Sequence, residues 1–165
     1  MPILQAKLSD LKECTDIIFF SELGKKYYPR RELLEKEVCQ GMERDKVYVY
    51  KTEDTGCGIL GVVWYQLEGI FHSFPYLHMI AVKNGFEHRG IGRALLDFFE
   101  VDVLKSGNNH IRTKIFLTVG DFNQRAEEIY RQRGYKEICE LPDLFRNKIT
   151  EKLFMKIVSA SDERR

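Results

Sequence analysis

The segment HRGIGRALL, residues 88–96, places two glycines one residue apart at the start of a run with helical spacing. Glycine lets a backbone approach another group closely, and the first N–H groups of a helix have no intrahelical acceptor. The helix dipole also favours negative charge at that end, so the turn is a candidate anion site. Its residues are His88, Arg89, Gly90, Ile91, Gly92 and Arg93. The glycines alone leave open a second interpretation, a tight turn that only starts a packed helix.

Two established phosphate-binding motifs can be tested against this turn. A P-loop requires Gly-Lys-Ser/Thr, and a dinucleotide-binding turn requires Gly-x-Gly-x-x-Gly with an acidic residue about twenty positions later. The segment contains neither pattern. A nucleotide-binding protein of either class is therefore not indicated.

A second group of residues, LTVGDFNQRAEEIYRQRGY, begins about twenty residues beyond the first segment, at position 117. It holds an apolar strand, a loop and a short amphipathic helix stopped by Gly134. Asn123 is suited to cap that helix, and Asp121 competes for the same role. Tyr130 stands at helical spacing with Ala126, and this pattern alone favours a core tyrosine.

The strand FPYLHMIAV leads into the glycine turn. Side chains alternate along a strand, so Tyr76, His78, Ile80 and Val82 share one of its faces. His78 is the residue of this face whose ordinary pKa, about 6.5, allows proton exchange close to neutral pH.

The hydrophobic pattern along the chain predicts the order β α α β β β α β α β β. Hairpins come early, and strand-helix-strand crossovers come in the second half. We therefore expect one α/β domain over residues 1–158, with a mixed central β-sheet of about six or seven strands and helices on both faces. Residues 159–165 form the expected flexible C-terminal tail.

Composition excludes several classes of protein. With 26 basic and 25 acidic residues the net charge is +1, which argues against a nucleic-acid partner. The four cysteines show no metal-ligand spacing, so no metal is expected. The chain has neither a signal-peptide pattern nor a run of about 18 apolar residues, so we expect a cytoplasmic protein without a membrane partner.

Together, HMIAVKNGFEHRGIGRALL and LTVGDFNQRAEEIYRQRGY resemble the GCN5-related N-acetyltransferase (GNAT) superfamily, which uses acetyl-coenzyme A (acetyl-CoA). The family's first signature is an apolar-Ala-Val strand end, a loop and Gln/Arg-x-x-Gly-x-Gly/Ala. It is met by IAV at residues 80–82 and by EHRGIG at residues 87–92. The second signature is met by Leu117, Val119, Asn123, Ala126, Tyr130, Gly134 and Tyr135. The resemblance implies a GNAT-like fold.

Glu87 departs from the family pattern, which prefers Gln or Arg at this position. A carboxylate close to a pyrophosphate is repulsive unless it points away or pairs with a base such as Arg89 or Arg93. The family's contacts here are mainly backbone N–H groups, so we expect the site to be kept.

The resemblance also implies which residues bind acetyl-CoA as cosubstrate. The phosphates would lie on the backbone of residues 88–93, where Arg89 and Arg93 add charge. The strand end IAV would separate from the neighbouring strand, so that backbone groups there bind the pantetheine arm and polarise the thioester carbonyl. The expected cofactor-binding residues are Ile80, Ala81, Val82, His88, Arg89, Gly90, Ile91, Gly92, Arg93, Asn123 and Tyr130.

For catalysis, the resemblance implies that Tyr130 is the general acid that protonates the coenzyme A thiolate. The base belongs to the strand face, where Tyr76 and His78 occupy positions equivalent to family bases. A His78 that only lines the acceptor groove is the alternative. His72 and Glu68 in the preceding loop are weaker candidates.

The predicted enzyme moves an acetyl group to a primary amine of a small molecule or peptide by direct transfer. We expect Glu68 and Glu151 near the mouth of the acceptor pocket, which favours a cationic amine. The resemblance permits a homodimer, although no interface pattern is present. The alternative function is a catalytically silent acyl-CoA sensor with the same fold.

Overall fold

The computed structural model describes residues 3–52, 58–106 and 112–160. The strands are β1 (Ile3–Gln5), β2 (Lys46–Lys51), β3 (Ile59–Ile70), β4 (Phe74–Val82), β5 (Arg112–Gly120), β6 (Lys136–Pro142) and β7 (Thr150–Ser159). The helices are α1 (Leu11–Phe19), α2 (Glu22–Tyr27), α3 (Arg31–Arg44), α4 (Ile91–Ser106) and α5 (Gln124–Gln132), and a 3₁₀ turn (Leu8–Asp10) precedes α1.

The seven strands form one sheet in the order β1-β2-β3-β4-β5-β7-β6. β4 and β5 are parallel, with Tyr76 opposite Phe116 and Leu77 opposite Leu117. The ladders of β1 with β2, β2 with β3, β5 with β7, and β6 with β7 are antiparallel. The α/β fold with a mixed sheet that the sequence predicts is confirmed. The sheet has seven strands, the upper end of the predicted six or seven.

The contacts divide the chain into two compact units, of which the first comprises residues 1–66 and 78–99. In this unit β3 has a helix on each face. Val62 and Trp64 belong to a buried cluster that includes residues of α1 and α3. The alternate residue Tyr65 packs its ring 4.9 Å from that of Phe99 on α4. Gly61 leaves room for α4, because a Cβ there would lie 2.8 Å from Leu95 Cδ1.

The second unit comprises residues 67–77 and 100–165. Its described part holds β5, β6, β7 and α5, with Ile115, Leu117 and Phe154 fully or almost fully buried. The helix α5 is tied to β7 by charge, since Lys152 Nζ donates to both carboxylate oxygens of Glu127 at 3.0 Å. The unit therefore carries the helix that contains the expected acid.

The sequence pattern predicted two helices before β2, whereas the structure has three. The additional helix, α2, has only six residues, which is too short for a hydrophobic period to reveal. Ser21 caps it by accepting a hydrogen bond from Gly24 N–H at 3.2 Å. At Gly24 a Cβ would lie 2.1 Å from the carbonyl oxygen of Ile18, so only glycine fits this close approach.

Three expected features lie wholly or partly outside the described residues. They are the expected DTGCG turn of the β2–β3 hairpin, residues 54–58, of which only Gly58 is described, Gly107, expected to close the helix α4, and most of the C-terminal tail, residues 161–165.

Replacing Phe99 by alanine is expected to destabilise the fold. Its side chain is 0% exposed, and removal of a buried phenyl ring costs about 3–5 kcal/mol. The Phe20→Ala variant is the matched control, because Phe20 is 53% exposed and its loss should cost about 1 kcal/mol or less. Urea unfolding of both variants measures the difference, and equal midpoints would contradict this packing.

Candidate active site

The glycine turn has a backbone conformation that depends on glycine. Gly90 has φ +81°, in the left-handed region, and Gly85 has φ +84°. Among the described atoms, none lies within 4 Å of the point where a Cβ of Gly90 would stand, chain neighbours aside. Gly90 therefore opens space beside the backbone as well as permitting the turn.

The helix α4 begins directly after this turn. Ala94 N–H donates to Gly90 O at 2.9 Å, which closes the first helical turn. The N–H groups of Ile91, Gly92 and Arg93 consequently have no intrahelical acceptor. Three donors at the positive end of a 16-residue helix can hold an anion.

One carboxylate oxygen of Glu87 is held by the backbone of its own loop. That oxygen, Oε2, accepts a hydrogen bond from Gly85 N–H at 2.7 Å, within the same loop. The guanidinium of Arg89 lies over the Phe86 ring, 4.8 Å from its centroid. The departure from the family pattern thus has a local structural role in shaping the loop.

The strand β4 presents alternate residues to opposite sides. Leu77, Met79 and Ala81 are buried, whereas Tyr76 and His78 keep partial exposure. The expected sharing of one face by Tyr76, His78, Ile80 and Val82 agrees with this alternation. Ala81 is 3% exposed, so its side chain belongs to the buried face of the strand.

In the first unit, His78 lies against Trp64, with ring centroids 4.3 Å apart and planes inclined by 65°. Burial lowers the pKa of His78, and the carboxylates of Glu37 and Asp45 partly oppose that shift. The imidazole is therefore neutral at pH 7 and can accept a proton.

In the second unit, Tyr76 shares a hydrogen bond of 2.9 Å with Thr118 Oγ1. Burial raises the pKa of Tyr76, so its phenol stays protonated at neutral pH. The catalytic role of Tyr76 stays a prediction.

Tyr130 lies on α5, and its ring contacts that of Tyr135 at a centroid distance of 5.4 Å. Burial raises the pKa of Tyr130 to about 12, and the neighbouring Tyr76 adds to the rise. Tyr135 is fixed in turn by the hydrogen bond from its hydroxyl to Glu100, at 3.0 Å.

The competition between Asn123 and Asp121 for the cap of α5 is settled in favour of Asn123. Its Oδ1 accepts from Ala126 N–H at 3.2 Å. Asp121 Oδ2 instead accepts from Thr150 N–H at 3.2 Å, beside the start of β7. The contact of Asn123 with a cofactor stays a prediction.

Glu151 is 1% exposed, so its expected place at a pocket mouth is wrong. It pairs with Gly120 in the β5–β7 ladder and therefore lies on the same face as Thr118. Its negative charge contributes to the raised pKa of Tyr76. The sequence offers one signal for such a residue, since alternation along β7 puts Glu151 on the same face as the apolar residues Leu153, Met155 and Ile157.

The structure thus gathers the expected site residues in two groups, one in each unit. The glycine turn, the end of β4 and His78 belong to the first unit, and Tyr76, Asn123 and Tyr130 belong to the second. Sequence reasoning missed Asp45 and Thr118, which have polar contacts with Trp64 and Tyr76 respectively.

The sequence model of the acetyltransferase (GNAT) domain matches residues 43–137, more than half of the chain. The chain belongs to the GNAT family. The match includes the glycine turn, β4 and α5. Members of this family are acetyltransferases that use acetyl-CoA, so the expected enzyme class and cosubstrate are confirmed.

Solved structures of other GNAT proteins share the fold. The ribosomal-protein-S18-alanine N-acetyltransferase of Escherichia coli is 19% identical, with a TM-score of 0.75 over 96% of this chain and 94% of that one. An aminoglycoside 6'-N-acetyltransferase complexed with coenzyme A is 17% identical, with a TM-score of 0.73 over 95% of this chain and 97% of that one. A chimera of the Vibrio cholerae spermidine N-acetyltransferase SpeG is 16% identical, with a TM-score of 0.73 over 100% of both chains.

A comparison with curated protein sequences gives no match for this GNAT chain. In the described ranges, none of its helices combines the length and apolar character that crossing a membrane requires.

The His78 imidazole is expected to titrate below its ordinary value of about 6.5, because burial disfavours the imidazolium. NMR of labelled imidazole nitrogens across pH measures the midpoint, and the His78→Ala variant assigns the signal. A His78 midpoint at or above the ordinary value would contradict this description of its surroundings.

Proposed function

We propose that this GNAT protein transfers an acetyl group from acetyl-CoA directly to a primary amine of a small molecule or peptide. The observation that carries the proposal is the glycine turn before α4, where the N–H groups of Ile91, Gly92 and Arg93 have no intrahelical acceptor and can hold the anionic part of acetyl-CoA. Burial lowers the pKa of His78, which favours its neutral form, and raises that of Tyr130 to about 12, which preserves its proton. A base and an acid with opposite protonation states at neutral pH are what amine acetylation needs.

The residues at the glycine turn fit the anionic part of acetyl-CoA. The backbone of residues 88–93 would hold the phosphates, since Gly90 leaves open space and three helical N–H groups have no intrahelical acceptor. Ile80, Ala81, Val82 and Asn123 would hold the remainder through backbone or amide groups. When bound, acetyl-CoA supplies the acetyl group as a reactive thioester.

In the proposed reaction, His78 accepts a proton at an imidazole nitrogen from the ammonium form of the acceptor. The freed amine forms a C–N bond to the acetyl carbon as the C–S bond breaks, and the nitrogen then releases its extra proton to solvent to give the neutral amide. His78 also returns its proton to solvent. Tyr130 gives its Oη proton to the departing sulfur and regains one from solvent. Each step uses the protonation state that the protein imposes on that residue.

Tyr76 has a supporting role in this proposal. Its phenol is protonated and shares its hydrogen bond with Thr118, so it orients groups on the acceptor side and does not remove a proton. Glu151 lies buried on the same sheet face, and its charge helps to keep the Tyr76 phenol protonated by raising the pKa of Tyr76.

The named acceptors of the similar structures support an amine. These proteins are named for acetylation of an alanine of a ribosomal protein, of an aminoglycoside and of spermidine, three different amines on one fold. The alternative of a silent acyl-CoA sensor gains no support, because the expected acid, Tyr130, is present with its hydroxyl proton retained.

The Tyr130→Phe variant tests the acid. Loss of the phenolic proton should lower kcat by roughly 10- to 1000-fold while acetyl-CoA binding changes little. Steady-state kinetics and calorimetry give the two quantities separately. Unchanged turnover would reduce Tyr130 to a packing residue beside Tyr135.

Gly90→Ala and Gly134→Ala form a matched pair of glycine variants. Alanine at φ +81° is strained by about 1–2 kcal/mol, so Gly90→Ala should shift the turn from its binding geometry and weaken acetyl-CoA binding about tenfold. Gly134, after α5, has φ +85° and also has no described atom within 4 Å of its Cβ point, chain neighbours aside, so alanine is similarly strained there, outside the expected phosphate turn. Calorimetry should therefore show near-native affinity for Gly134→Ala.

Equal affinities of the two glycine variants would remove the turn from the proposed site. Absence of acetyl-CoA binding by the unmodified protein at millimolar concentration would overturn the proposed function itself.

A further inference from the structure

We propose that Asp45 is a positioning residue for His78 and that it acts through the indole ring of Trp64. The inference rests on the proposed function, in which His78 receives the acceptor's proton. All three residues belong to the first compact unit.

The first link joins Asp45 to Trp64. Asp45 Oδ2 accepts a hydrogen bond from Trp64 Nε1 at 2.8 Å, and both carboxylate oxygens accept from Gln66 Nε2 at 3.2 Å. The backbone of Asp45 is itself held, because its N–H donates to Gly41 O at the end of α3, at 2.8 Å. The carboxylate is therefore a fixed acceptor for the indole.

The second link holds the indole ring against the helix. Trp64 is 5% exposed and passes so close to α3 that a Cβ on Gly41 would lie 2.4 Å from Trp64 Cζ2. Glycine at position 41 is thus required for this approach. The ring cannot move towards α3, and its N–H is tied to Asp45.

The third link is the contact between the two rings. The indole of Trp64 lies 4.3 Å from the His78 imidazole, centroid to centroid, in an edge arrangement of 65°. A ring held on two sides limits the orientations of the imidazole that it contacts. Misplacing a catalytic group by about 1 Å can cost on the order of 100-fold in rate, so such a constraint matters for catalysis.

Charge gives Asp45 a second, separable effect on His78. The charged groups of the described chain whose fields reach His78 are Glu37 on α3 and Asp45 just after it, and both favour the imidazolium. Tyr28 donates its hydroxyl proton to Glu37 Oε2 at 2.8 Å. From β3, the neighbour is the uncharged Trp64. Removing the charge of Asp45 alone should therefore lower the pKa of His78 further.

Two substitutions of Asp45 separate positioning from charge. Asp45→Ala removes the acceptor for Trp64 Nε1, and we expect kcat to fall about 10-fold. Asp45→Asn keeps an oxygen in place for the indole, so kcat at the pH optimum should return to within about twofold of the unmodified enzyme. Because the asparagine lacks the charge, the acid limb of its pH–rate profile should move to lower pH.

A double-mutant cycle identifies the residue through which Asp45 acts. In a His78→Ala background, Asp45→Ala should cause no further loss of kcat, because the group that it positions is gone. Tyr48→Phe is the matched control for a polar deletion in the same unit. The Tyr48 ring stacks on that of Tyr65 and makes a tilted contact with that of Phe98. The kcat of the Tyr48→Phe variant should be unchanged.

The proposal is overturned if Asp45→Ala retains full kcat, or if its loss persists in the His78→Ala background. The proposal is also overturned if Asp45→Asn fails to restore kcat and the acid limb of its pH–rate profile is unshifted. If Asp45→Ala does not fold, Asp45→Asn alone provides this test. Failure of the proposed function has a different signature, since the unmodified protein would then show no amine-dependent turnover, whereas an unchanged kcat in His78→Ala would remove only His78 as the base.

Discussion

The alternation of side chains along β4 is the constraint on which the rest of this structure depends. Leu77, Met79 and Ala81 are buried, and their burial fixes the rotation of the strand. With that rotation fixed, Tyr76 and His78 must lie on the opposite face. A shift by one residue would place these polar groups in the core, at a high cost in desolvation.

The same strand leads into the glycine turn, so one element sets two parts of the chemistry. Its face carries His78, the proposed base, and its end leads to the start of α4, where helical N–H groups lack intrahelical acceptors. The proposed acid, Tyr130, belongs to a different element, α5, whose start is capped by Asn123 and where Tyr130 packs on Tyr135. Burial then moves the pKa values of His78 and Tyr130 in opposite directions.

Much of this arrangement could be predicted from the sequence because it follows from local periodicity. The bounds of β4, the helix after the glycine turn and the short helix with Tyr130 follow from apolar spacing and turn residues. The pattern could not show α2, which is six residues long and is defined by a cap and by the close approach of Gly24 to Ile18.

The side-chain contacts around the candidate site could not be predicted from the sequence either, because they join residues far apart in the chain. The link from Asp45 to Trp64, the pairing of Tyr76 with Thr118 and the burial of Glu151 depend on strand register and helix packing. Periodicity places a residue on a face, but it does not say which residue of another element meets it. The role of Glu87 belongs to the same class, since its bond to Gly85 arises from the path of the loop.

The most direct test of the central claim is a stoichiometric assay with acetyl-CoA and a panel of primary amines. The panel should include peptide N-termini, amino sugars and polyamines, with released thiol and N-acetylated product measured together. The account predicts thiol release that requires an amine and equals the amount of N-acetylated product. Thiol release without any acetylated amine, or none with every amine tested, would contradict it.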